Sequence, residues 1–229
     1  FFEYAADVIN KQPQPFCSAI FSLSSHHPFN VPADLKSKFP DGDQQIHESI
    51  GYTDYAVRLF FEKSKNKPWF KNTIFIFTAD HTFPYGEHPP MYNNGAGKYR
   101  VPIAIYKADG SLAPAIDSTL VQHLDILPTA IDLAGYNGST KCYGSSVFAK
   151  NRLPYAIQYL NNVFQVEDRQ YILFFDGKKT IGLYNYIEDV ACNSNLMDQL
   201  PEKRKELEQY VMSVIQDYFT SLNRNNMCN

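Results

Sequence analysis

Apolar spacing divides the chain into a longer front part, where helix and strand periods alternate, and a back part of short strands closed by a helix. Phe2, Ala5, Ala6 and Ile9 recur at helical spacing, and Pro13 and Pro15 end that first helix. FCSAIFSLS (16–24) is a continuous apolar run of strand length, and it empties into Ser25-His26-His27-Pro28-Phe29. Pro32, Pro40 and Asp41-Gly42 mark a loop. A helix is predicted over 44–64, with Ile50, Tyr55, Val57, Leu59, Phe60 and Phe61 on its buried side. Strands are predicted at 73–78 and 101–106, separated by a Pro-, Gly- and Asn-rich loop over 82–98. DSTLVQHLDILPTAIDLAGY (117–136) predicts a helix with Asp117 or Ser118 as N-cap and Gly135 at its end, kinked or restarted at Pro128.

Continuously apolar strands alternating with helices predict an α/β fold with a mostly parallel sheet flanked by helices on both faces. After Gly144 the rhythm changes. LPYAIQYL, QYILFFDG and KKTIGLYNY are successive strand-like segments with a DGKK turn between the last two, which predicts a small antiparallel β subdomain. A charged amphipathic helix is predicted over 202–221. Two domains are expected: 1–144, the α/β part, and 145–229, antiparallel β plus the terminal helix.

A net charge of -3 with scattered Lys and Arg excludes a basic nucleic-acid footprint. Cys17, Cys142, Cys192 and Cys228 form no CxxC pair, which excludes a zinc finger and leaves disulfides open. No apolar run reaches the length of a membrane span. Aromatic residues make up 15% of the chain, which suits core packing and leaves room for a carbohydrate-facing surface. The opening FFEYAADVINKQ reads as the middle of a helix, so the chain is expected to be part of a longer one.

In an open α/β sheet, ligands bind beyond the carboxyl ends of the strands. Two predicted strands end in chemically capable residues, one in His26 and His27 and the other in Asp80 and His81. Carboxylate oxygens suit hard divalent cations, and a neutral imidazole adds a donor acceptable to Mn²⁺ or Zn²⁺. Neighbours on an extended strand point to opposite faces, so Asp80 and His81 share one ion only where the strand gives way to the Thr82-Phe83-Pro84 loop. By spacing alone a two-residue motif is weak, and a capping Asp with a satisfied structural His is the commoner reading. A solvated loop is the default for Glu87 and His88, and His47 and His123 fall in helical segments as structural residues.

FTADHT, GKYRVPIAIY and QHLDILPTAIDLAGY together resemble the C-terminal half of the sulfatase catalytic domain, in the alkaline phosphatase superfamily. SLSSHHPF resembles the strand-end H-x-P-F of the lipoteichoic acid synthase-like branch, whose members transfer phosphoglycerol, and LYNYIEDVACNSNLMDQLPE is similar to a trailer near sulfatase C-termini. The resemblance runs along nearly the whole chain, in order. It implies a partial alkaline phosphatase-like fold, with Asp80 and His81 as the metal-binding Asp-His pair. It makes His26 the turn histidine that contacts the ester or protonates the leaving oxygen, and His88 and Arg100 substrate-binding residues. The implied cofactor is one divalent cation, Mn²⁺ first, with Mg²⁺, Ca²⁺ or Zn²⁺ as alternatives. The implied partner is an anionic phospho- or sulfo-ester, lipid-linked or part of a glycan, with no nucleic acid.

The family's nucleophile and its other acidic ligand lie upstream, and no C/S-x-P-S-R occurs here. The resemblance therefore implies the C-terminal portion of a phosphoglycerol transferase or ester hydrolase, inactive without its N-terminal half, from a membrane-anchored protein acting outside the cytoplasm (periplasmic or cell-surface). A true sulfatase or phosphatase, and a non-catalytic anion-binding module, are the alternatives.

Overall fold

The structure is a computed structural model that describes residues 1–86 and 89–226. The chain forms two compact units. The first comprises 1–75 and 106–113, the second 76–105 and 114–229.

In the first unit, helix α1 (Phe2–Ile9) and helix α2 (Ile46–Ser64) pack through Ala6, Ile9 and Phe60. Trp69 and Phe70 complete this buried cluster, and Phe16 and Ile20 pack against it. Aromatic edges dominate the contact: Phe61 meets Phe70 with ring centroids 5.5 Å apart, and Phe16 meets Trp69 at 5.7 Å. Trp69 donates its indole N–H to Asn10 Oδ1, so the indole reaches a polar partner at the edge of the cluster.

The predicted strand at 16–24 is not observed: these residues carry no regular secondary structure. Phe21 and Leu23 are two-thirds exposed. A buried strand forms only where neighbours on its edges take up its backbone groups, and among the described residues none pairs with it. The mostly parallel sheet is likewise not what the structure shows. β1 (Ile74–Phe77) and β2 (Ala104–Lys107) form a two-stranded sheet, and all remaining strands lie in one antiparallel sheet.

That sheet has the order β3 (Ala156–Leu160), β4 (Val163–Glu167), β5 (Tyr171–Phe175), β6 (Thr180–Asn185). The antiparallel part of the sequence reading is thus observed, with β4 as an addition that the pattern reading missed. Its signal was present. Asn161 and Asn162 both take positive φ, 52° and 64°, and join Leu160 to Val163 as a two-residue hairpin loop. The DGKK turn forms as expected: Asp176 accepts the N–H groups of Lys178 and Lys179, and Gly177 takes φ 92°.

The pleat sorts the side chains of this sheet. Val166, Leu173 and Leu183 are directly opposed across β4, β5 and β6 and fully buried. Helix α4 (Pro201–Asn223) covers this row with Leu207 and Val211, four apart on one helical face. The intervening positions, Gln165, Glu167 and Ile172, necessarily face the other way.

In sequence between β2 and β3, helix α3 (Ile126–Leu133) begins later than the sequence predicts. Asp117 accepts the N–H of Thr119 in a local turn instead of capping a helix. The start is fixed at Gln122 and Asp125, whose side chains each take the other's backbone N–H in a capping box ahead of a 3₁₀ turn at His123–Asp125. Pro128 falls in the first turn of α3, where its missing N–H costs nothing. Gly135, with φ 75°, ends it as predicted.

Candidate functional site

β1 stops at Phe77, and the chain leaves the strand before Asp80 and His81. Leaving the pleat removes the alternation that would send these two side chains apart. The His81 N–H donates to Asp80 Oδ1 at 3.0 Å, which turns the carboxylate back along the chain. Asp80 Oδ2 and His81 Nε2 then stand 3.7 Å apart. That is longer than a hydrogen bond. Two donors on one tetrahedral ion at about 2.0–2.2 Å stand about 3.3–3.6 Å apart, so a small approach of the two side chains would let them share a cation. His81 Nδ1 lies 2.7 Å from the Thr82 carbonyl, which only accepts, so Nδ1 carries a proton and Nε2 is the ring nitrogen on the carboxylate side. Both side chains are about half exposed.

Two tethers hold this loop. Thr82 donates its N–H and its hydroxyl to the Lys98 carbonyl, at 3.0 and 2.9 Å. His123 Nε2 donates to the Ala79 carbonyl at 2.8 Å and lies 3.5 Å from the Thr78 hydroxyl. His123 read as a structural helix residue in the sequence. It is structural, but what it fixes is the residue preceding Asp80. No sequence signal announced this, because the contact joins positions 44 apart. Lys98 lies in a tight turn in which a Cβ on Gly97 would overlap the Met91 carbonyl oxygen. The glycine is therefore required by close backbone approach.

Arg100, which follows that turn, places its guanidinium over the Tyr186 ring, 5.2 Å from the centroid. Its charge also acts on Glu167. Burial pushes the Glu167 carboxyl up to about 7, against the lowering pull of Arg100 and with a further raise from Asp168. Tyr186 is raised from its ordinary value, first by burial and then by Glu167.

A raised carboxyl holds its proton in the folded chain at pH values where the unfolded chain has lost it. The stability associated with Glu167 is therefore greatest below about 4.5 and falls as pH rises towards about 7. Glu167→Gln, neutral throughout, is expected to unfold at higher denaturant than the parent at pH 8, by on the order of 2 kcal/mol. At pH 4 the two should coincide. Denaturation midpoints at the two pH values check this.

His26 belongs to the first unit, in an exposed turn where the Phe29 N–H donates to the His26 carbonyl at 2.8 Å. Its Nδ1 lies 2.9 Å from the His27 carbonyl, so Nδ1 carries a proton and Nε2 is the nitrogen open to a ligand. His88 lies outside the described residues. Among the described residues no group of three His, Cys, Asp or Glu side chains gathers as a metal cluster. The pair at 80 and 81 brings together one carboxylate oxygen and one imidazole nitrogen, and no third such side chain joins them among the described residues. Cys17, Cys142 and Cys192 are free thiols.

The Sulfatase family model matches residues 1–136. The chain belongs to the sulfatase family. Lipoteichoic acid synthase of Staphylococcus saprophyticus is 24% identical over 189 residues, covering 75% of this chain and 29% of that protein. Lipoteichoic acid synthase 1 of Bacillus subtilis is 25% identical over 168 residues, covering 66% of this chain and 26% of that protein. Among solved structures, a protein of the alkaline phosphatase superfamily from Vibrio parahaemolyticus superposes with a TM-score of 0.71 at 21% identity, over 95% of this chain and 54% of that one. The sulfatase-family chain thus has a partial alkaline phosphatase-like α/β fold, and it spans less than a third of the length of these curated relatives and about half of that structural neighbour. No helix among its described residues is long and apolar enough to cross a membrane.

Proposed function

We propose that this chain is the C-terminal portion of the catalytic domain of a metal-dependent enzyme acting on anionic phospho- or sulfo-esters, nearest to the phosphoglycerol-transferring branch. The observation that carries the reading is the 3.7 Å separation of Asp80 Oδ2 and His81 Nε2, with the imidazole tautomer fixed by the Thr82 carbonyl. These two donors fit a divalent cation that accepts both oxygen and nitrogen, Mn²⁺ before Mg²⁺, Ca²⁺ or Zn²⁺. A cation bound there polarises an ester oxygen and stabilises negative charge as it develops.

The His81 amide orients Asp80 towards the ion, and the Nδ1 contact with the Thr82 carbonyl leaves Nε2 as the His81 atom that binds it. His26 presents Nε2 as the group that contacts the ester or supplies a proton to the leaving oxygen. Arg100 serves the anionic substrate after swinging from the Tyr186 ring, or holds Glu167 in place from where it stands. His88 keeps its proposed substrate contact. The whole protein is proposed to act outside the cytoplasm, on a lipid-linked or glycan ester, by way of a nucleophile contributed by its N-terminal half. The family match itself favours a second reading, a true sulfatase with water as acceptor.

The test uses the full-length protein with Mn²⁺ and two chromogenic substrates, a phosphodiester and a sulfate monoester. Asp80→Ala is expected to reduce kcat/KM on the preferred ester by at least about a thousandfold, a loss of about 4 kcal/mol of transition-state stabilisation. Unchanged turnover in Asp80→Ala would remove the basis of the proposal. Preference for the sulfate monoester would select the sulfatase reading.

A further inference from the structure

The segment LYNYIEDVACNSNLMDQLPE (183–202) resembles a trailer near sulfatase C-termini, and nothing in the proposed cation chemistry uses it. It folds as a loop closed at both ends. At its start Asn185 Oδ1, at the end of β6, accepts the N–H groups of Ile187 and Glu188 at 3.2 and 3.1 Å. The Asn185 carbonyl accepts the Asp189 N–H at 2.8 Å. At its finish Asn195 Oδ1 accepts the N–H groups of Leu183 and Met197, and Leu196 returns its N–H to the Leu183 carbonyl at 2.7 Å. Asp189 Oδ2 takes the Ser194 N–H across the middle at 2.7 Å. A loop whose backbone groups are met this fully holds its remaining carbonyls at fixed points. One of these, Val190, accepts Asn94 Nδ2 at 2.6 Å, from a residue 96 positions earlier.

Asn94 works in two directions. Its Oδ1 accepts the Gly97 N–H at 2.7 Å, and its carbonyl accepts the Lys98 N–H at 3.3 Å. The Gly97 N–H only donates and the Val190 carbonyl only accepts, so these partners settle which way the amide points. Asn94 thereby shapes the turn that presents the Lys98 carbonyl, and that carbonyl receives both the N–H and the hydroxyl of Thr82. The Thr82 carbonyl in turn meets His81 Nδ1. The turn also sits close on the antiparallel sheet. Ala96 is buried with Ile172 and Tyr186, Cys192 of the trailer packs against them, and a Cβ on Gly95 would meet Gln165 Oε1 and the Phe174 ring. Gln158 ties the turn to β3 by donating to the Gly95 carbonyl at 3.0 Å. The Asn94 amide ties it to the trailer and shapes it at once.

We propose that Asn94 is a positioning residue, braced by the trailer carbonyl of Val190, that sets the Thr82 carbonyl and with it the ring orientation of His81. This role rests on the ester-processing reading for what His81 does, and on the hydrogen bonds for how His81 is held. Partners of this kind behind a metal ligand typically change metal affinity by roughly 10–100-fold when removed.

The ¹⁵N-labelled chain is compared first without metal, as parent, Asn94→Ala and Asn94→Ser. Ser keeps a short oxygen for the Gly97 N–H and gives up the reach to Val190, which separates the brace from the turn. In both variants the amide signals of Asp80, His81 and Thr82 are expected to move, while those of Val166, Leu173 and Leu207 stay in place and verify the fold. Calorimetric titration with Mn²⁺ then reads the consequence, a dissociation constant raised about tenfold in each variant. Asp176→Ala is the structural control. It strips a comparable turn cap, the carboxylate that accepts the N–H groups of Lys178 and Lys179, and should lower stability while leaving Mn²⁺ affinity and the 80–82 signals unchanged. Unmoved 80–82 signals in the metal-free Asn94 variants, or Mn²⁺ affinity equal to the parent's in either, would overturn the proposal. So would an equal loss of affinity in Asp176→Ala. A parent chain that binds no Mn²⁺ would refute the cation reading instead, and the metal-free spectra would still decide whether Asn94 sets the loop.

Discussion

Asp125→Ala is expected to lower the unfolding free energy by about 3–5 kcal/mol, the range for removing one partner of a buried ion pair. Asp125 and Arg152 are 2.8 Å apart, with side chains only 3% and 11% exposed. The carboxylate has more than one task. Oδ2 accepts the Arg152 guanidinium and the Gln122 N–H, and Oδ1 accepts the Ser145 N–H at 2.9 Å. Removing it leaves a guanidinium whose one other hydrogen bond runs to the Leu120 carbonyl, and it orphans two backbone donors. It also loosens the segment 144–152, whose other ties to α3 are the Val147 N–H on Thr129 Oγ1 and the Ser146 hydroxyl on the Asp132 carboxylate. Urea or guanidinium unfolding of the variant measures the loss. An undiminished midpoint would contradict this, showing that Arg152 reaches water or another acceptor once the carboxylate is gone.

The second large effect concerns the cation. Asp80→Ala and His81→Ala each remove one of two donors, so Mn²⁺ affinity should fall in each by more than the roughly 10–100-fold typical of an outer-sphere contact. Calorimetric titration of the two variants against the parent chain checks this. His47, in the first unit, is hydrogen-bonded by the Gln44 N–H and lies 3.4 Å from Asp43. It makes the natural control, and His47→Ala should leave Mn²⁺ affinity unchanged.

Local rules account for most of what the sequence made visible. Strand β1 ends one residue before Thr78, and the 44–64 helix forms over 46–64, because both rest on long periodic runs. The terminal helix forms over 201–223 for the same reason. The adjacent Asp80 and His81 could be singled out because the loop that lets them converge follows them directly in sequence. What the pattern could not show depends on partners distant in the chain. The run 16–24 has strand composition, yet pairing decides whether it becomes a strand. The capping box at Gln122 overrides two good N-cap residues at 117 and 118, since Asp125 gains its buried arginine only in the folded chain. Arg100 was expected at an anion and stands over Tyr186, a residue 86 positions away. Glu167 and Gln165 escaped notice because β4 itself did, and alternating polar residues on an unrecognised strand read as ordinary surface.

Pulsed electron paramagnetic resonance of Mn²⁺ bound to the ¹⁵N-histidine-labelled chain tests the shared cation most directly. The account predicts hyperfine coupling to one histidine nitrogen, retained in His47→Ala and His123→Ala and lost in His81→Ala. Coupling that survives in His81→Ala, or bound Mn²⁺ with no nitrogen coupling at all, would contradict it.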